Sequence, residues 1–194
     1  MPRTKEFDVE ATLDRAVELF RAKGYSATSV QDLVDTLGIN RASIYDTFGT
    51  KEELFSKAIQ RYTSQVAEGR SSLATSEPSP RLALIEFIRG TAEWALNDRA
   101  KGGCLVANSC IELKEFSPAT SKQVSNGMKE LLVFVSELAH RAQQLGELPP
   151  AISATVVAAQ ALSHSTSIPL LVKAGMPADS VWAVVKGFEK FLSK

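Results

Sequence analysis

The sequence predicts an all-α fold of about nine helices, and three observations carry that reading. Apolar residues recur at helical spacing from Leu13 to Leu192, no stretch keeps the strict alternation of a strand, and glycine or proline stands at most places where the spacing breaks off. The breaks crowd together early in the chain. They outline a three-helix head over residues 1–50, a connecting helix over 51–71 and a larger helical domain over 72–194.

Residues 1–7 are polar, and Arg3 and Lys5 suit a basic arm that reaches a phosphate or a minor groove; the plainer expectation is a disordered terminus. The first helix spans about Asp8 to Lys23, with Leu13, Ala16, Val17 and Phe20 as its apolar stripe and Gly24 as its stop. Thr28 is expected to cap the second helix and to form a capping box with Gln31. Val30, Leu33, Val34 and Leu37 line one face of that helix, and Gly38 ends it in a left-handed conformation. Asn40 caps a short third helix, Arg41 to Phe48. Ile44 and Phe48 lie four apart and pack inward, which leaves Arg41, Ala42, Ser43, Tyr45, Asp46 and Thr47 outside. Gly49 stops it, and Thr50 with Glu53 forms a capping box for the helix that follows. Helix boundaries this close together suit a helix-turn-helix, whose second helix lies in a major groove.

The run G-I-N-R-A-S-I-Y-D-T-F-G-T-K-E-E-L-F resembles the DNA-binding signature of the TetR/AcrR family of bacterial transcriptional regulators. Tyr45, Phe48, Gly49, Lys51, Leu54 and Phe55 fall where that pattern has them, and the resemblance covers roughly residues 8–60. It implies a ligand-responsive regulator, a repressor in most members, that binds a palindromic double-stranded DNA operator as a homodimer. The DNA contacts it implies are Thr28, Arg41, Ala42, Ser43, Tyr45 and Lys51. Asp46 departs from the pattern, since many members carry histidine there, so the target sequence is not carried over. Lys51 also has a reading of its own: a cation in the first turn opposes the helix dipole, and a phosphate would account for it.

Beyond the head, the connecting helix is expected to run from Lys51 to about Ser71 and the segment 69–80 to form a linker. Further helices are expected at about 81–98, 104–116, 118–145, 151–174 and 178–192. Pro169 should kink or break the helix over 151–174. That helix is rich in alanine and serine. Together with the helix over 178–192 it is the implied two-fold dimer interface, the alternative being that both pack inside a monomer. The resemblance further implies a regulatory cavity within the larger domain. Its candidate residues are Phe87, Trp94, Cys104, Asn108, Met128, Phe134 and His164, each also readable as plain core.

Cys104 follows Gly102-Gly103 beside Lys101 at the expected start of a helix, which favours the thiolate and makes it a candidate sensor of electrophiles or oxidants. The block G-C-L-V-A-N is similar to one in family members that sense thiol-reactive compounds; a small buried hydrophobe is the other reading. Cys110 lies about 120° around the helix from it, so a disulfide between them is not expected.

The two cysteines and two histidines show no metal-ligand spacing, so neither metal nor cofactor is expected. Lys and Arg number 22 against 22 Asp and Glu, a balance that weakens the electrostatic footprint for DNA. A charged start without an apolar h-region and no apolar run of membrane-spanning length lead us to expect a cytoplasmic protein. Two other classes remain open from the residues alone. One is a helical small-molecule or protein-binding module that does not bind DNA. The other is an all-α enzyme with Cys104 as nucleophile, for which the chain offers no neighbouring base.

Overall fold

In the computed structural model, residues 7–97 and 102–193 are described. Arg3, Lys5, Lys101 and the expected helix end at Asp98 lie outside them. All regular structure among the described residues is helical: α1 (Val9–Lys23), α2 (Val30–Leu37), α3 (Arg41–Phe48), α4 (Lys51–Ser76), α5 (Pro80–Asn97), α6 (Leu105–Ser109), a 3-10 segment (Cys110–Glu115), α7 (Pro118–Gln144), α8 (Ala154–Lys173) and α9 (Ala178–Phe191). The chain divides into two compact units. The first holds residues up to Gln65 together with Leu105–Ser125; the second holds Val66–Cys104 and Asn126 onward.

The first unit is built on α1, which packs against α2 and α6, while α2 packs against α3. Phe20, Leu33, Leu37, Ile44, Phe48, Leu54 and Phe55 are buried in it. Polar groups close the helix ends. Asp8 caps α1 through the N–H groups of Glu10 and Ala11. Arg15 donates to Leu37 O at 2.9 Å and Lys57 to Phe48 O at 2.9 Å, so two helix C-termini that lack further turns still have donors. Arg61 pairs with Asp14 and Glu10, fastening α4 to α1.

The second unit packs α5 against α8 and α9, and α8 against α9. Its core includes Leu84, Ile88 and Ala92 of α5, Val135 and Leu138 of α7, Val157, Ala161 and Ile168 of α8, and Val181, Val185 and Phe188 of α9. Glu147 accepts from Ser79 Oγ and Arg81 N, pinning the start of α5. Arg89 pairs with Glu189 at 2.6 Å between α5 and α9.

Four expectations are corrected. Ser29, not Thr28, caps α2, in a capping box with Asp32; Gln31 bonds Asp35 instead. α4 runs on to Ser76 through most of the segment expected to be a linker, because Thr75 Oγ1 turns back onto Ser71 O and half-buried Leu73 and Ala74 hold the helix down. The helix expected over 104–116 is a short α6 followed by a 3-10 segment. Of the kink or break expected at the buried Pro169, the break does not occur: α8 continues to Lys173. By length and composition alone α8 would also suffice to cross a bilayer. Here its buried side, Val157, Ala161, Ile168 and Val172, packs as a core helix against α5 and α9.

Candidate nucleic-acid interface

α3 is held by its two ends and its inner face. The Asn40 side chain accepts from Ser43 N at 2.9 Å, and Gly49, at φ 83°, closes the C-terminus with a bond from its N–H to Tyr45 O. A Cβ at Gly49 would displace the Glu53 carboxylate that accepts from Thr50 N, and φ 83° with ψ −147° is a backbone conformation left essentially to glycine, so the turn into α4 calls for that residue. Ile44 and Phe48 are 2% exposed each and anchor the helix. The opposite side is bare: Arg41, Ala42, Asp46 and Tyr45 are exposed, the last at 37%, and Ser43 is half-buried. The Arg41 guanidinium lies over the Tyr45 ring at 5.5 Å, so the cation and the phenol share one side of the helix.

The flank of this surface is the loop from Gly24 to Ser29 and the start of α4. Thr28 is 1% exposed, and its hydroxyl donates inward to Gly24 O at 2.5 Å. Ser29 is exposed and starts α2. The Lys51 ammonium sits 4.3 Å from the centroid of the Tyr25 ring. Burial pushes Lys51 below the usual lysine range, while Glu112 and Asp32 pull it back up. Asp32 is itself tied up by Lys23 at 2.6 Å and by Ser29, which hold its carboxyl well below the usual range.

Behind the loop stands a group of residues from the far side of the sequence. Tyr25, Phe55 and Phe116 form a ring cluster with centroids 4.9–5.0 Å apart, and Phe20 meets Phe55 edge-on. Glu112 accepts from Tyr25 N at 3.0 Å and from Ser26 N at 2.9 Å. Glu52 accepts from Ser117 N at 2.8 Å, and Gln123 exchanges bonds with Ser56. Nothing in the spacing of the sequence marks these partners. Glu112, one of two acids in C-I-E-L-K-E, reads as a solvated charge.

The seven cavity candidates are dispersed. Phe87 and Phe134 meet edge-on at 5.2 Å, with the Arg70 guanidinium 5.9 Å from the Phe134 ring. Phe134 also lines two open clefts along α7, of about 300 and 360 Å³, that share Glu137. The other six candidates line neither cleft. His164 packs its ring edge against Phe188 at 5.4 Å, and burial lowers its pKa. Met128 and Cys104 are half-buried, Trp94 is exposed, and Asn108 belongs to the first unit, where it donates to Arg21 O at 3.4 Å. Among the described residues no three His, Cys, Asp or Glu side chains converge as a metal site would require.

Comparison with known proteins gives a consistent result. Residues 13–58 match the model for bacterial regulatory proteins of the tetR family, and residues 80–172 match that for the tetracyclin repressor-like C-terminal domain. The chain is 36% identical over 153 residues to the uncharacterized HTH-type transcriptional regulator YezE of Bacillus subtilis, spanning 76% of each protein. It is 31% identical over 159 residues to the HTH-type transcriptional repressor ComR of Escherichia coli, spanning 80% of this chain and 75% of that one. Among solved structures, a cysteine mutant of the TetR family regulator CifR complexed with 26-bp double-strand operator DNA superposes with a TM-score of 0.86. It is 25% identical, with 98% of this chain and 100% of that one covered.

Proposed function

The chain belongs to the TetR family of bacterial transcriptional regulators, and from that premise we propose that it is a repressor that binds a palindromic operator as a homodimer and releases it when a small molecule binds. Its function as a DNA-binding regulator follows from the family match and from relatives that are HTH-type transcriptional repressors. The observation that carries the rest is the two-sidedness of α3, anchored by Ile44 and Phe48 and bare at Arg41, Ala42, Ser43 and Tyr45. In a major groove, Arg41 and Tyr45 reach base edges while Ala42 and Ser43 pass close to the bases or backbone. Lys51 holds a phosphate from the flank. The contact that the family resemblance implies at Thr28 falls to Ser29, because the Thr28 hydroxyl is committed to Gly24 O.

A two-fold partner is supported by the outer faces of α8 and α9. Val156, Ala159, Ser163 and Leu170 lie exposed along α8, and Ala183 and Gly187 along α9. These are small or apolar residues at helical spacing, suited to close helix approach in an isologous contact. The effector belongs with the second unit, where Phe87, Phe134 and Arg70 offer aromatic faces and a cation. A thiol-reactive inducer acting at the half-buried Cys104 is the form of this reading suggested by the likeness of its sequence block to thiol-sensing members. The place of action is the cytoplasm, where the operator is.

Selection of duplexes from a random-sequence pool by the full-length protein tests the reading. Recovery of a palindromic site bound more tightly than unrelated DNA is expected. A pool that never enriches would favour a helical binding module without DNA affinity, the reading that the balanced net charge and the exposed Asp46 support.

A further inference from the structure

We propose that Glu112, far outside the helix-turn-helix in sequence, is a positioning residue for DNA binding: its carboxylate clamps the α1–α2 loop and, through Tyr25, sets the phosphate-holding Lys51. This rests on the regulator reading above and adds a residue to its machinery.

The clamp uses both carboxylate oxygens. Oε2 accepts from Tyr25 N at 3.0 Å and Oε1 from Ser26 N at 2.9 Å, so two consecutive backbone N–H groups converge on one charge. Gly24 lies against it. That residue stands at φ 84°, a backbone conformation that favours glycine, and a Cβ there would be in ordinary contact with Glu112 Oε2 at 3.4 Å. The remainder of the loop is closed on itself by Thr28 N to Tyr25 O at 3.1 Å and by the Thr28 hydroxyl to Gly24 O. Once Glu112 fixes Tyr25 and Ser26, Ser29 at the start of α2 has little freedom left.

Tyr25 transmits the same constraint to Lys51. Its ring packs against both Phe55 and Phe116, each 5.0 Å away, and offers its face to the Lys51 ammonium at 4.3 Å. A lysine in the first turn of a helix is otherwise free to swing; here a π-face and the nearby Glu112 charge hold it on one side of α4. Burial works against ionisation of Glu112, but the bonds from Ser26 and Tyr25 outweigh it and hold its carboxyl below the usual range, so the clamp is charged near neutrality.

Charge alone argues the opposite way. A carboxylate close to a phosphate-facing loop repels DNA, so removing it would tighten binding if position did not matter. Glu112→Asp separates the two effects, because it keeps the charge and loses the reach.

The probe is the duplex that the wild-type protein recovers from a random-sequence pool. The full-length variants are Glu112→Asp, Glu112→Ala and Tyr25→Leu, each alone and combined with Lys51→Ala. Each single variant should weaken binding by about tenfold, a fraction of what two charge-assisted hydrogen bonds are worth. Each should lower the salt slope by about one phosphate, and none should multiply in full with the loss caused by Lys51→Ala, since the part that acts through Lys51 is already gone. Tyr25→Leu keeps the backbone clamp while removing the π-face, so it answers the question even if a Glu112 variant does not fold. Wild-type affinity in Glu112→Asp or Tyr25→Leu, or losses that multiply in full with that of Lys51→Ala, would overturn the proposal while leaving the regulator intact. Failure of the wild-type protein to recover any duplex removes the regulator reading and this one with it.

Discussion

The Lys51 ammonium rests 4.3 Å from the centre of the Tyr25 ring, beside the loop that leads into α2. The phosphate contact proposed for this cation is indifferent to base sequence. Lys51→Ala is therefore expected to weaken binding to specific and unrelated duplexes by similar factors and to reduce the salt slope by about one. Titrations at several salt concentrations on both duplexes check this. A loss confined to the specific duplex would give Lys51 a different role.

Phe116 packs against Tyr25 and Phe55 with ring centroids 5.0 and 4.9 Å away, although it stands far from both in sequence. Phe116→Ala should cost the first unit about 3–5 kcal/mol, the usual range for truncating a buried phenylalanine. Amide hydrogen exchange should show the loss at Phe20, Tyr25 and Phe55, while Leu84 and Val157 of the second unit keep their protection.

Gly187 lies on the exposed side of α9, and a Cβ there would meet nothing within 4 Å. Gly187→Arg should leave the monomer fold intact, and the better helix former should even favour α9 by up to about 1 kcal/mol. If this face meets its own copy, the arginine prevents close approach. Sedimentation velocity should then show a wild-type dimer and a monomeric variant with undiminished helix content.

Glu52 accepts from Ser117 N, and its bonds to Ser117 and Thr120 hold its pKa below its ordinary value of 4.5. A depressed folded-state pKa stabilises the fold fully above the unfolded value, and that contribution disappears as pH falls through the lower one. Glu52→Gln should therefore be less stable than wild type at about pH 7, and the gap should close as pH drops below about 4. Thermal melts across that range measure it. A gap that widened in acid would contradict the assignment.

How far the sequence reports the structure differs from element to element. α3 was legible to the residue because Asn40 and Gly49 mark its ends and Ile44 and Phe48 its inner face. The start of α2 was off by one, since Thr28 and Ser29 both have capping chemistry. Only the fold shows the Thr28 hydroxyl turned back to Gly24 O. The end of α4 was hidden by Gly69, Ser71 and Ser72, which resemble a loop until Leu73 and Ala74 find partial burial. Least legible was the place of Leu105–Ser125 in the first unit. Glu112 meets the N–H of Tyr25 across a sequence separation of 87, and no local pattern encodes such a pairing. Of the cavity candidates, residue type alone could not separate Phe134, which lines the α7 clefts, from His164, whose ring packs against Phe188.

The outward face of α3 is tested most directly by equilibrium binding of wild type, Arg41→Ala and Tyr45→Ala to the selected palindromic duplex and to a scrambled one. Wild type should prefer the palindrome strongly. Each variant should lose about 1–3 kcal/mol on the palindrome and much less on the scramble, so that the preference collapses. A wild-type protein that binds both duplexes alike, or variants that keep the full preference, would contradict the assignment of α3 as the helix that reads DNA.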